Sequence, residues 1–295
     1  MCKIGKICKR WPWIIGEKKP IIYLTIFTVV VKKRGENVVK LDAVVTNYDK
    51  DPKEEIAAYW TERADSFTKL RAKELHSEKH ARWEKEILRH LPVGKKLKVL
   101  DVGCGSGFFS ILLAKNGHNV TGIDLTENMI VDAQKLADKE GVAVFFQVMD
   151  AEKLAFPNHN FDLVISRNLT WTLPNPEQAY KEWLRVLKPG GLLLNYDAEY
   201  AGSRAERLQV SNAHQDLPPE LLEQCREIYN MLAISDVQRP KWDQFVLAKL
   251  NKCLCQVDLQ VGERIYKEKD EFYISVPMFG IVVTKNGLER ECIDI

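Results

Sequence analysis

Residues 99–110 read Val-Leu-Asp-Val-Gly-Cys-Gly-Ser-Gly-Phe-Phe-Ser (VLDVGCGSGFFS), and the reading of the whole chain turns on them. Val99 and Leu100 close an apolar strand, Asp101 and three glycines (Gly103, Gly105, Gly107) follow, and Phe108–Ala114 opens an apolar helical run. A strand, a glycine turn and a helix bring backbone N–H groups and a helix N-terminus against a ligand. Glycine suits the turn because it tolerates unusual φ/ψ values and leaves room for close approach.

Working outward, Asn119–Leu125 (NVTGIDL) reads as a second strand ending at Asp124. That acid stands 17 residues after Gly107, close to the spacing at which a strand-end carboxylate accepts ribose hydroxyls. A third strand, Val142–Val148, leads to Asp150-Ala151, where an acid or amide meets an adenine edge; a fourth, Phe161–Ser166, leads to Arg167-Asn168. Polar residues at the carboxyl ends of successive strands describe a ligand crevice along an open α/β sheet. A dinucleotide fold uses GxGxxG to seat a pyrophosphate, whereas this turn is GxGxG with an acid two residues earlier. Asp101 repels a pyrophosphate and suits a ligand carrying an ammonium and a sulfonium.

With these residues in view, the chain resembles class I S-adenosylmethionine-dependent methyltransferases, in motif order over about residues 54–200. It is most similar to the small-molecule branch of the menaquinone and ubiquinone pathways. The resemblance matches Asp124 to the family's ribose acid, Asp150-Ala151 to its adenine pair and LKPGG (Leu187–Gly191) to the turn before its fifth strand. It implies a Rossmann-like α/β fold: a seven-stranded, mostly parallel sheet with an antiparallel last strand, helices on both faces and a helical insertion between the fifth and sixth strands. It further implies S-adenosyl-L-methionine as cofactor, with Tyr59, Trp60, Asp101, Gly103, Cys104, Gly105, Asp124, Leu125, Met129, Asp150, Ala151, Arg167 and Asn168 around it. No catalytic residue and no metal ligand is assigned. Methyl transfer from a sulfonium is an in-line displacement that alignment and desolvation serve without a strong base.

The 295 residues suffice for one large or two small domains. Residues 1–45 read as a basic and apolar extension and 46–295 as the methyltransferase domain. Within that domain, 52–92 form two N-terminal lid helices and 198–256 a substrate-recognition insertion, with helices after Pro218-Pro219 and Pro240. Val257–Ile265 and Phe272–Thr284 read as closing strands, Pro277 marking a bulge or an edge. Seven cysteines without framework spacing indicate a reducing, cytoplasmic setting.

The net charge of +2 hides an asymmetry. Residues 1–41 carry ten Lys/Arg against two Asp/Glu, and the remainder 33 against 39. An acidic body argues against a nucleic-acid footprint and for a small-molecule acceptor. The apolar run Ile21–Val31 is too short to span a bilayer. The extension is read as dispensable, with weak membrane-surface contact as a second reading. An RNA or protein methyltransferase using the tail as a docking arm, and a non-catalytic binder of the cofactor, remain the alternatives. Oligomeric state is not legible.

Asp197, Glu199, His214 and the pair His76/His80 are the titratable groups expected near the mouth. His76 and His80 stand at helical i, i+4 spacing, but Ser77 reads as an N-cap that interrupts a shared helix. Phe67 is read as core.

Overall fold

The computed structural model describes residues 8–13, 21–33, 36–48, 51–200, 217–250, 253–273 and 276–286. The chain divides into two compact units, residues 1–55 and 56–295. In the first, β1 (Cys8–Trp13), β2 (Ile21–Lys33) and β3 (Glu36–Tyr48) pair into an antiparallel sheet of order β1-β2-β3. Helix α1 (Pro52–Leu75) begins there, with the backbone N–H of Glu54 bonded to the Asp51 carbonyl, and continues into the second unit.

The second unit is built on seven strands. These are β4 (Lys98–Val102), β5 (Asn119–Asp124), β6 (Phe145–Val148), β7 (Phe161–Arg167), β8 (Leu187–Ala198), β9 (Cys253–Asp258) and β10 (Met278–Lys285). Their order is β6-β5-β4-β7-β8-β10-β9. Strands β4 to β8 pair in parallel, and β10 enters antiparallel between β8 and β9. Val99–Val102 are all buried, as a central parallel strand covered on both faces requires. The expected sheet, with its antiparallel last strand, is the one observed.

Helices α2 (Glu78–Leu88), α3 (Phe108–Lys115), α4 (Glu127–Lys139) and α5 (Pro176–Val186) flank the sheet. One core gathers Trp83, Phe109, Leu112, Val99, Ile165 and Tyr196; a second gathers Leu100, Ile123, Val164, Tyr180, Trp183 and Phe279. Between β8 and β9 the chain adds α6 (Pro219–Met231) and α7 (Lys241–Lys249), both in the predicted insertion.

Two sequence readings are corrected. Val257–Ile265 is not one strand: β9 ends at Asp258 and Val261–Ile265 is a short helix, α8. Asp258 accepts the Gln260 N–H at 2.9 Å and turns the chain, and Val261 and Ile265, four apart, both bury completely. Pro277 lies just before β10, which is an interior strand, so it marks neither a bulge nor an edge. The prolyl bond Arg239-Pro240 is cis, and Pro240 immediately precedes α7, as expected.

Candidate functional site

The glycine turn follows β4 at the carboxyl end of the sheet. Gly103, Gly105 and Gly107 all have left-handed φ, +65°, +52° and +85°. The turn is tied to β5 by the Cys104 N–H, which donates to the Ile123 carbonyl at 2.9 Å. A Cβ on Gly103 would lie 2.7 Å from the Leu169 methyls, and one on Gly105 would lie 3.0 Å from the Phe67 ring. Phe67 and Leu169 thus pack directly on the backbone of the turn, where only glycine leaves room for them.

Two acids converge on it. Asp124 accepts the Gly105 N–H through one oxygen and the Thr126 N–H through the other, each at 3.0 Å. Each oxygen keeps a further lone pair for a ligand hydroxyl. Burial raises its pKa, against the pull of those N–H groups. Asp101 is 2% exposed and accepts the Ser110 hydroxyl at 2.6 Å. Burial pushes its pKa up to about 7.

A pH dependence follows. Between about pH 4 and pH 7 the unfolded chain has this carboxyl ionised while the folded protein retains the proton, so Asp101 makes stability fall with rising pH. Burial lowers the pKa of His80 and His118, giving them the opposite sign. The expected result is therefore differential. Asp101→Asn removes a slope of up to about 1.4 kcal/mol per pH unit in that window. Urea midpoints of both proteins from pH 5 to 7 check it, and parallel curves would contradict it.

The remaining site residues divide. Leu125 is half-buried, and Met129 is buried. Asp150 accepts the Glu152 N–H at 2.8 Å, and the carbonyl of Ala151 accepts the Trp183 indole N–H at 3.0 Å. Asn168, at φ +55°, is held by its neighbours: its N–H donates to the Tyr196 carbonyl, and its Oδ1 accepts the Tyr200 hydroxyl at 2.9 Å. From α1, Tyr59 is buried and Trp60 is half-buried, edge-on to Tyr59 at 5.2 Å and to Phe67 at 5.4 Å.

The guanidinium of Arg167 is engaged within the fold. It pairs with Glu74 of α1 at 2.8 and 3.2 Å, bonds the Tyr266 hydroxyl at 2.8 Å and lies 4.7 Å from the Trp83 ring centre. This side of the polar strand end joins β7 to α1.

The titratable candidates are also displaced. Asp197 is fully buried and accepts from Arg239, Thr170, the Trp171 N–H and the Ala198 N–H, so it is not placed as a base. His76 pairs with Glu140 at 2.9 Å, beyond the end of α4 and far from that helix's crevice end. Ser77 caps α2 and separates His76 from His80, which lies within that helix, as expected. His214 lies outside the described residues. Sequence reasoning missed Phe67 and Leu169 against the glycines. The available signal was the recurrence of Tyr59/Trp60 and Phe67 on helical spacing beside a glycine turn, without anything to show which face met it.

Residues 100–195 match the model of a family described as a methyltransferase domain. The demethylmenaquinone methyltransferase of Staphylococcus aureus is 39% identical over 121 residues, 40% of this chain and 49% of the relative. The ubiquinone biosynthesis O-methyltransferase of Coxiella burnetii is 38% identical over 95 residues, 32% of this chain and 41% of the relative. The chain thus spans about half, or less, of the length of these curated relatives. Among solved structures, the PH0226 protein of Pyrococcus horikoshii OT3 superposes with a TM-score of 0.50 at 25% identity, covering 70% of this chain and 89% of that one.

Proposed function

We propose that this chain, whose residues 100–195 match the methyltransferase domain family, binds S-adenosyl-L-methionine in the crevice and transfers its methyl group to a small-molecule acceptor. The observation that carries the reading is Asp124 bonded to the Gly105 N–H, which sets a carboxylate with spare lone pairs beside the glycine turn. The residues fit the cofactor: Asp124 takes the ribose hydroxyls, Leu125, Met129 and Asp150-Ala151 flank the adenine, and Asp101, Gly103 and Asn168 meet the amino-acid end under Tyr59 and Trp60.

The bound cofactor supplies an electrophilic methyl on a sulfonium. The chain's own contribution is alignment and exclusion of water. Trp171, stacked on Tyr229 of the insertion at 4.9 Å and packed with Tyr200, forms with Tyr59 an apolar cover suited to a small acceptor. Among the described residues no helix is long and apolar enough to cross a membrane. The scattered cysteines fit a cytoplasmic setting, and residues 1–45 are dispensable for cofactor binding.

Calorimetric titration of S-adenosylhomocysteine, with NAD as control, into the full chain and into the chain lacking residues 1–45 tests this. Micromolar binding to both without NAD binding is expected. Absence of S-adenosylhomocysteine binding to the full chain would overturn the cofactor; its loss on truncation alone would make the extension part of the site. Asp124→Ala is expected to weaken S-adenosylhomocysteine binding roughly 10–100-fold, the worth of hydrogen bonds to a charged acceptor. Unchanged affinity in the same calorimeter would contradict the ribose assignment.

A further inference from the structure

Strands β1 to β3 form a sheet whose two faces differ in kind. Residues paired across an antiparallel ladder share a face, and successive residues along a strand alternate between faces. Trp11 pairs with Leu24 and Leu24 with Val45, Trp13 pairs with Ile22, and Val30 pairs with Val39. Among the described residues, the face they share holds two charges, Lys9 in the edge strand β1 and Lys32 at the hairpin end of β2. Arg10, Lys33, Glu36, Lys40 and Asp42 all fall on the opposite face. A sheet with one apolar face requires a second layer. Among its described residues the unit that holds these strands adds only the first turn of α1, so it has no such layer of its own.

Charge decides what covers it. Residues 1–41 carry ten Lys/Arg against two Asp/Glu, and Lys32, Lys33 and Arg34 follow one another where β2 ends. Two copies packed face to face would bring two such basic sets together. An anionic lipid surface instead attracts each basic side chain near it by about 1 kcal/mol. A nucleic acid would engage the charges and leave the apolar face in water. Tryptophan, apolar in its ring and polar at its N–H, is favoured at the headgroup level. The hydrocarbon interior is closed to this sheet, because β1 and β3 are edge strands and an open edge cannot be satisfied there. It therefore lies in the interface, as an amphipathic helix does.

We propose that residues 8–48 dock the protein on an anionic lipid surface, the face shared by Trp11, Trp13, Leu24 and Val45 meeting the acyl boundary and the basic residues meeting the headgroups. Docking of this kind makes no demand on the crevice, and it gives the extension a task separate from cofactor binding.

Flotation of the full chain with vesicles of phosphatidylcholine alone, and of phosphatidylcholine with about 30% phosphatidylglycerol, tests this. The wild type is expected to bind the anionic vesicles on the order of tenfold or more tighter than the neutral ones, and to be released as NaCl rises from about 0.05 to 0.5 M. Leu24→Gln/Ile26→Gln, on the apolar face, is expected to weaken binding roughly 100-fold. Thr25→Gln/Val29→Gln, on the opposite face of the same strand, is expected to leave it within about threefold. Lys32→Gln/Lys33→Gln should weaken binding to the anionic vesicles about tenfold or more and flatten the salt dependence, and it carries the test should the apolar-face variant fail to fold. Brominated phosphatidylcholine in the vesicles should quench the wild-type tryptophan fluorescence, and Trp11→Phe/Trp13→Phe should remove that quenching. Failure of the wild type to float, or equal flotation of the Leu24→Gln/Ile26→Gln and Lys32→Gln/Lys33→Gln variants, would overturn the proposal. A wild-type dimer that stays off the vesicles and that Leu24→Gln/Ile26→Gln dissociates would overturn it in favour of a second copy on this face.

Discussion

Arg239→Ala is expected to cost the protein about 3–5 kcal/mol of stability, because it strands two buried carboxylates. Arg239 is 5% exposed and makes four hydrogen bonds: Nε and Nη2 to Asp243 at 2.9 and 2.8 Å, Nη1 to Asp197 at 2.8 Å and Nη2 to Thr170 at 2.7 Å. Asp197 and Asp243 are both fully buried, and Tyr180 and Asn195 complete the cluster. Lysine offers one compact charge where the guanidinium spans three groups, so Arg239→Lys should recover little. Urea denaturation of both variants measures the loss. A change below about 1 kcal/mol would mean that the carboxylates find other partners or take up protons at little cost. The cluster joins β8, the Thr170–Thr172 turn and the Arg239–Asp243 segment before and within α7, so it fixes the insertion to the sheet.

Gly105→Val is expected to abolish ligand binding, by roughly 100-fold or more, while costing only about 1–2 kcal/mol of stability. The φ of +52° is unfavourable for any L residue and worst for a β-branched one. The new side chain also meets the Phe67 ring at 3.0 Å and fills the space that the absent Cβ leaves. Titration of S-adenosylhomocysteine into the folded variant, alongside its denaturation curve, separates the two effects. Affinity within threefold of the wild type would show that the ligand does not sit on this turn.

The contrast between these two sites explains what the sequence made legible. Gly105 and Asp124 are local signals: the first follows and the second ends a strand whose apolar run is visible, and their spacing carries geometric meaning. The order and type of β4 to β8, and the insertion after β8, follow from such signals. The Arg239 cluster draws on Thr170, Tyr180, Asn195 and Asp197, 42 to 69 residues earlier in the chain, and no local pattern announces it. The ion pair of Arg167 was illegible for the same reason, since its partner Glu74 lies 93 residues away on α1. Val257–Ile265 was misread because its apolar residues fit a strand as readily as a short helix, and the deciding turn at Asp258 is a side-chain hydrogen bond. Phe67 was read as core on periodicity alone. Periodicity finds the inward face of a helix but not whether that face meets packed side chains or a glycine turn.

The cysteine within the glycine turn has a chemical corollary. Burial and the flanking Asp101 and Asp124 hold the Cys104 thiol pKa well above its ordinary value, and its Sγ donates to the Gly105 carbonyl at 3.6 Å. Peroxide and alkylating reagents attack the thiolate, and this sulfur almost never carries that charge at neutral pH. Burial first, and the same two acids after it, thus disfavour the thiolate in this turn, where a neighbouring cation would have favoured it.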